Sequence, residues 1–124
     1  MTEPNGKGQA AVRTERSEAI VVLMTAANAE EGARLAEMLV GAQLAACVQI
    51  LPPMDSVYRW KGTIERETEV LLIAKTERSK FEEVEREVRA LHSYETPEII
   101  ALPITAGSAP YLNWLSASLD RQGS

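Results

Sequence analysis

The stretch Ser56-Val57-Tyr58-Arg59-Trp60-Lys61-Gly62-Thr63-Ile64-Glu65-Arg66-Glu67-Thr68-Glu69-Val70-Leu71-Leu72-Ile73-Ala74-Lys75-Thr76 decides the fold. Lys61-Gly62 is a turn signal, so the chain reverses there and the two arms pair as a hairpin. Ser56, Tyr58 and Trp60 alternate onto one side of the incoming arm. The returning arm, residues 63–76, is polar in its first half, with Glu65, Arg66, Glu67 and Glu69, and apolar from Val70 to Ala74. Only the apolar half asks for a place in a core. A hairpin with arms this long is expected to project beyond its own helices.

Working outward, Ala46-Cys47-Val48-Gln49-Ile50-Leu51 is the strand before the hairpin. Pro52-Pro53 cannot donate to a ladder, so the strand bulges, bends or lies at an edge there. Ile20-Val21-Val22-Leu23-Met24 is a short apolar run rich in β-branched residues, which reads as a buried strand. Asn28 with Glu31 three positions on is a capping-box-like helix start. Ala29, Ala33, Ala36 and Val40 form its apolar stripe with Leu35 and Leu39 beside it, and Gly41 is a plausible stop. Downstream, Ser79 with Glu82 reads as a second capping box, and Phe81, Val84, Val88 and Leu91 recur at helical spacing. Glu82–Arg86 and Glu85–Arg89 are i,i+4 pairs. Ile99 to Ile104 is a further strand, with Pro103 suggesting an edge or bulge, and Pro110 opens a short last helix lined by Leu112, Leu115 and Leu119. The order β-α-β-β-α-β plus a C-terminal helix, with right-handed crossovers, predicts an antiparallel sheet carrying two helices on one face. This is an α+β, ferredoxin-like sandwich with an extended β-hairpin.

The whole chain has 124 residues, below the roughly 150-residue prior for one domain, so a single domain over residues 18–120 is expected. Residues 1–17 are polar and small and read as a disordered tail or processing remnant; residues 121–124 read as a C-terminal tail. Hydrophobic residues at 45% and charged residues at 25% are globular proportions, which argues against wholesale disorder. Thirteen Lys and Arg against eighteen Asp and Glu leave a net charge of −5, which disfavours binding to nucleic acid through phosphate. No apolar run approaches the roughly 18 residues of a membrane helix, so no membrane insertion is expected. The start has no apolar leader segment, so a cytoplasmic location is expected. The lone Cys47 forms no internal disulfide, and its apolar neighbours suggest core packing over reactivity.

His92 is the single histidine, and the spacing His92, Glu95, Glu98 makes it the best candidate metal cluster. Imidazole suits copper, zinc and nickel, and carboxylates complete a mixed nitrogen and oxygen set. His92 near the end of a helix equally suits a cap of the last carbonyls. Tyr58, Trp60 and Tyr94, with Lys75, are candidates for a pocket or intersubunit seam; the other reading of the aromatics is filling of the monomer core. No nucleophile elbow, Walker loop or dinucleotide fingerprint is present, so no catalysis is expected.

Several segments resemble the divalent-cation-tolerance family usually called CutA. They are Leu44-Ala45-Ala46-Cys47-Val48, Ser56 to Gly62, Glu69 to Thr76, His92-Ser93-Tyr94-Glu95-Thr96-Pro97-Glu98-Ile99-Ile100, Ala101-Leu102-Pro103-Ile104 and Tyr111-Leu112-Asn113-Trp114-Leu115. The resemblance spans roughly residues 18 to 120. It implies a ferredoxin-like fold assembled as a homotrimer through the long hairpin, and a link to Cu2+ or another divalent cation. Two positions depart from the family pattern: Met24 stands where some relatives carry a cysteine, and His92-Ser93-Tyr94 stands for the usual His-Pro-Tyr. The function expected is that of a trimeric divalent-cation (copper) binding protein in metal-ion tolerance or response, without catalysis. The alternatives are a PII-like trimeric sensor of small molecules or anions, for which Arg59, Lys61 and Lys75 are assets, and a trimeric anchor for a membrane-protein partner.

Overall fold

The computed structural model describes residues 17–120. The elements are β1 (Ala19–Ala26), α1 (Ala29–Gly41), β2 (Cys47–Ile50), β3 (Met54–Trp60), β4 (Thr63–Glu77), α2 (Phe81–Leu91), β5 (Ile99–Pro103) and α3 (Ala109–Ser118), with a 3₁₀ turn at Arg78–Lys80 before α2. The reading of residues 1–17 and 121–124 as tails lies outside the described residues, apart from Ser17. Its hydroxyl accepts a hydrogen bond from the Ser79 N–H at 2.9 Å.

All strand pairs are antiparallel, in the order β2-β4-β1-β5, with β3 paired to β4 alone. β4 joins two neighbourhoods. Val70–Glu77 lies beside β1, whereas Thr63–Glu69 pairs only with β3, as a two-stranded arm. The Lys61-Gly62 turn has both residues in the left-handed region, at φ 52° and 83°, the turn that matches the strand twist. Pro52-Pro53 separates β2 from β3, and Pro103 ends an edge strand, as proline chemistry requires.

The core lies on one face of the sheet. Ile20, Val22, Met24 and Ala26 of β1 and Val70, Leu72 and Ala74 of β4 meet Leu35 and Leu39 of α1 and Val84 and Val88 of α2. Each fully buried Leu or Val contributes about 1.5–3 kcal/mol. α3 contacts the opposite face: the Tyr111 hydroxyl lies 3.7 Å from Cys47 Sγ, and Cys47 stands opposite Lys75 in register. Cys47 is therefore half-buried on that second face and is not part of the core cluster.

Local expectations differ from the structure at three points. The buried face of α1 is Glu31, Gly32, Leu35, Ala36 and Leu39, and Val40 is exposed. The large leucines, not the alanine stripe, set the rotation of the helix. Gly41 does not supply the left-handed stop; Gln43 does, at φ 58°, with Leu44 N–H donating to Leu39 O and Gln43 N–H to Val40 O. The Ser79 capping box does not form, because Ser17 takes the Ser79 N–H and the 3₁₀ turn carries the chain into α2. Glu82 instead meets Arg78 at 3.3 Å, and Glu85–Arg89 forms at 3.9 Å while Arg86 turns to Glu83 and Glu87.

Gly32 lets α1 settle on β4: a Cβ there would sit 3.2 Å from a Val70 methyl. Gly32→Val is expected to lower stability by about 1–3 kcal/mol, read by urea denaturation of both proteins.

Candidate functional site

The hairpin register places Met54 opposite Glu69, Ser56 opposite Glu67, Tyr58 opposite Glu65 and Trp60 opposite Thr63. Opposed residues share a face, so the Tyr58 and Trp60 side of β3 and the Glu67 and Glu69 side of β4 form one surface. That surface continues along β4 as Leu71, Ile73 and Lys75. The loop between α2 and β5 closes over it. The result is a cavity of about 680 Å³ walled on one side by Tyr58, Trp60, Glu67 and Glu69. Tyr94, Glu95 and Glu98 line the other side, and Thr25 contributes from the end of β1.

A buried polar node holds the loop in place. The His92 side chain is 0% exposed and that of Glu31 4%. His92 Nε2 lies 2.7 Å from the Thr25 carbonyl, which can only accept, so Nε2 carries the proton. Nδ1 accepts from the Tyr94 N–H at 3.0 Å. Glu31 Oε1 accepts from the Ala27 N–H at 2.8 Å and Oε2 from the Ser93 N–H at 2.7 Å. Burial alone would raise the Glu31 carboxyl; the Ala27 and Ser93 N–H groups, with His92 beside it, outweigh that and hold it below the usual carboxylate range. Tyr94 then donates its hydroxyl to Glu69 Oε1 at 3.2 Å. Burial and the neighbouring Glu69 push the Tyr94 hydroxyl up to about 12, so it remains a donor.

The structure divides the expected residues. Glu95 and Glu98 line the cavity, but His92 does not, and both of its ring nitrogens are engaged. Nor does the His92 side chain cap α2: only its backbone N–H bonds the helix, at Val88 O, while the ring reaches β1. Among the described residues, no three His, Cys, Asp or Glu side chains gather closely enough to hold a metal ion. Within the described chain, His92, Glu95 and Glu98 do not converge on one point. Tyr58, Trp60 and Tyr94 do come together. Lys75 is six residues beyond Glu69 along β4, about 20 Å at strand spacing, and its Nζ donates to Gln49 Oε1 at 2.6 Å.

Glu31, Glu67 and Glu69 are the site residues that sequence reading missed. Glu67 and Glu69 carried a signal: the two-residue turn at Lys61-Gly62 sets the register that puts them beside Ser56, Tyr58 and Trp60. Glu31 was legible only as part of a helix cap, which it is, through its own N–H to Asn28 Oδ1 at 2.8 Å. Its carboxylate's bond to Ser93 spans 62 residues and had no local signal.

Because the folded Glu31 value lies below its reference of 4.5, its contribution is present above that pH and is lost as pH falls through the lower folded value. In calorimetry, Tm is expected to fall below about pH 4.5, with a smaller fall in Glu31→Gln. That variant is expected to be about 1–3 kcal/mol less stable at pH 7, as for a buried bond left unmade. In alkaline spectrophotometric titration Tyr94 is expected to ionise above the ordinary tyrosine range, and Glu69→Gln to lower its midpoint.

The sequence model described as CutA1 divalent ion tolerance protein matches residues 20–118. The chain is 50% identical over 99 residues to the chloroplastic protein CutA of Arabidopsis thaliana, a match covering 80% of this chain and 54% of that one. It thus spans about half the length of that relative. It is 45% identical over 95 residues to the divalent-cation tolerance protein CutA of Thermus thermophilus, covering 77% of this chain and 92% of that one. Among solved structures, the periplasmic divalent cation tolerance protein CutA of Archaeoglobus fulgidus superposes with a TM-score of 0.80 at 42% identity, covering 82% and 99% of the two chains. Relatives named for the chloroplast and the periplasm mean that kinship does not carry the expected cytoplasmic location with it. Among the described residues no helix is long and apolar enough to cross a membrane. With the family model matching residues 20–118, most of the chain, and the same α+β fold in the solved relatives, the chain belongs to the CutA1 divalent ion tolerance family.

Proposed function

We propose that this protein serves divalent-cation tolerance by binding cations reversibly, as a homotrimer and without turnover. The observation that carries the cation reading is the cavity lining. It contains Glu67, Glu69, Glu95 and Glu98, and no Lys, Arg or His among the described residues. Like charges brought together around one concavity raise the local concentration of cations. Glu95 and Glu98 offer exposed oxygen donors to a hydrated divalent ion. Copper stands highest in the divalent series and is the ion expected to bind best. His92 joins the ligands only by giving up its bond to Thr25 or to Tyr94, so it serves here to hold the cavity walls. The carboxylate lining does not favour an anion sensor, and Lys75 is engaged elsewhere. A protein partner has no feature of its own in support.

Support for self-assembly comes from apolar surface left open by one chain. Ile100 and Leu102, 50% and 49% exposed, lie on the sheet face away from α1 and α2, and Val57 and Ile64 on the hairpin are 63% and 68% exposed. Patches of this kind mark association surfaces, and a closed three-fold arrangement covers strand edges.

Light scattering at micromolar concentration is expected to give the mass of a trimer, and Leu102→Glu to shift it towards monomer; a monomeric wild type overturns the assembly. In calorimetric Cu2+ titration, the Glu95→Gln, Glu98→Gln double variant is expected to bind about tenfold more weakly. His92→Gln is expected to keep its copper affinity and lose thermal stability. Undiminished copper binding in the double variant would overturn the carboxylate assignment.

A further inference from the structure

The arm formed by β3 and residues 63–69 of β4 carries two faces of unlike charge. Directly opposed residues share a face, so Tyr58 with Glu65, Ser56 with Glu67 and Trp60 with Thr63 lie on one side. Val57 with Arg66 and Arg59 with Ile64 lie on the other. The first side is acidic and aromatic, and Lys61 of the turn lies 5.7 Å from its Trp60 ring centroid. The second is basic and aliphatic. Its one acidic residue, Asp55, lies 3.7 Å from Arg66, with the two side chains 64% and 73% exposed, a pair screened by water. Two copies that met through the same arm face would set Glu65 and Glu67 against their own kind, or Arg59 and Arg66 against theirs. Such like-charge contacts are unfavourable. Unlike faces meet head to tail instead, and contacts of that kind close into rings.

We propose, on the basis of the homotrimer reading above, that each copy lays the Val57, Ile64, Arg59 and Arg66 face of its arm on the Tyr58, Trp60, Glu65 and Glu67 face of the next. The aliphatic side chains cover the two rings, each 40% exposed in the single chain, and the guanidinium groups pair with the carboxylates. A second copy is the occupant because both complementary surfaces belong to one arm and share its length, about 23 Å for seven residues. The acidic face also continues into the helix-free face of the sheet, where Ile100 and Leu102 are exposed. The neighbour's arm thus extends an apolar surface already assigned to assembly. Apolar burial supplies the affinity, and the charges choose which face meets which. Glu95 and Glu98, on the loop, remain available to the ion.

The test is charge reversal at two exposed positions, Arg66→Glu and Glu67→Arg, singly and together in the full-length chain. Light scattering gives the mass at micromolar concentration, and circular dichroism establishes that each variant is folded. Each single variant is expected to shift towards monomer, or to dissociate on heating at least about 5 °C earlier than the wild type. The double variant again opposes Glu to Arg at every seam and is expected to regain the trimer mass and most of the lost temperature. Within one copy the two side chains point to opposite faces of β4, so that recovery comes from the contact between copies. Arg59→Glu with Glu65→Arg repeats the test should either variant fail to fold. Unchanged assembly in the single variants, or a double variant as weak as the two singles combined, overturns the pairing of faces and leaves the trimer standing. A wild type of any other mass overturns the trimer and the pairing together.

Discussion

The alternation of side chains along β4 is the constraint on which the rest of the molecule depends. Val70, Leu72, Ala74 and Thr76 point into the core beneath α1 and α2. Two-residue periodicity then sends Glu67, Glu69, Leu71, Ile73 and Lys75 to the other face. The core and the cavity are therefore two consequences of one register. A slip by one residue would expose the core set and turn the glutamates inward, so the burial energy of the core also holds the acidic wall in place.

A second device joins elements that the sheet alone leaves independent. Glu31 at the start of α1, Thr25 and Ala27 around the end of β1, and His92 to Tyr94 after α2 are tied by hydrogen bonds of 2.7 to 3.0 Å. Buried groups of this kind are costly unless satisfied, and here each ring nitrogen and each Glu31 oxygen has a partner. Tyr94 extends the network to Glu69 on the hairpin. The loop beside the cavity is thus held from beneath by the His92 imidazole and from the side by the Tyr94 phenol. In this arrangement the single histidine supports the loop from behind without lining the cavity.

The open apolar surface has a related origin. The first half of β4 pairs only with β3, so the arm has no helix over it. Val57 and Ile64 on one side, and Tyr58 and Trp60 on the other, are left exposed by the same lack of cover. On the sheet itself, α3 reaches the β2 side through Tyr111 and Cys47, leaving Ile100 and Leu102 of the opposite edge uncovered. Polar and apolar exposure along the hairpin together make a surface suited both to a cationic ligand and to further copies of the chain.

The sequence by itself determined the elements and their order, because each rests on local chemistry. Lys61-Gly62 makes a turn wherever it stands between strands, Asn28 caps a helix through its neighbour's N–H, and Pro52-Pro53 interrupts any ladder. It also grouped Tyr58, Trp60 and Tyr94 with Lys75 as one pocket, and it named Glu95 and Glu98 as ligands beside His92. The tertiary structure alone decided the partners of polar groups that bond across the fold. Ser79 lost its cap to Ser17, Lys75 went to Gln49, and His92 turned from the expected cluster to Thr25 and Tyr94. A turn or a cap is specified by residues within a few positions of one another. A buried donor or acceptor takes whichever partner the packed backbone brings within about 3 Å, and the distance along the chain has no part in that choice.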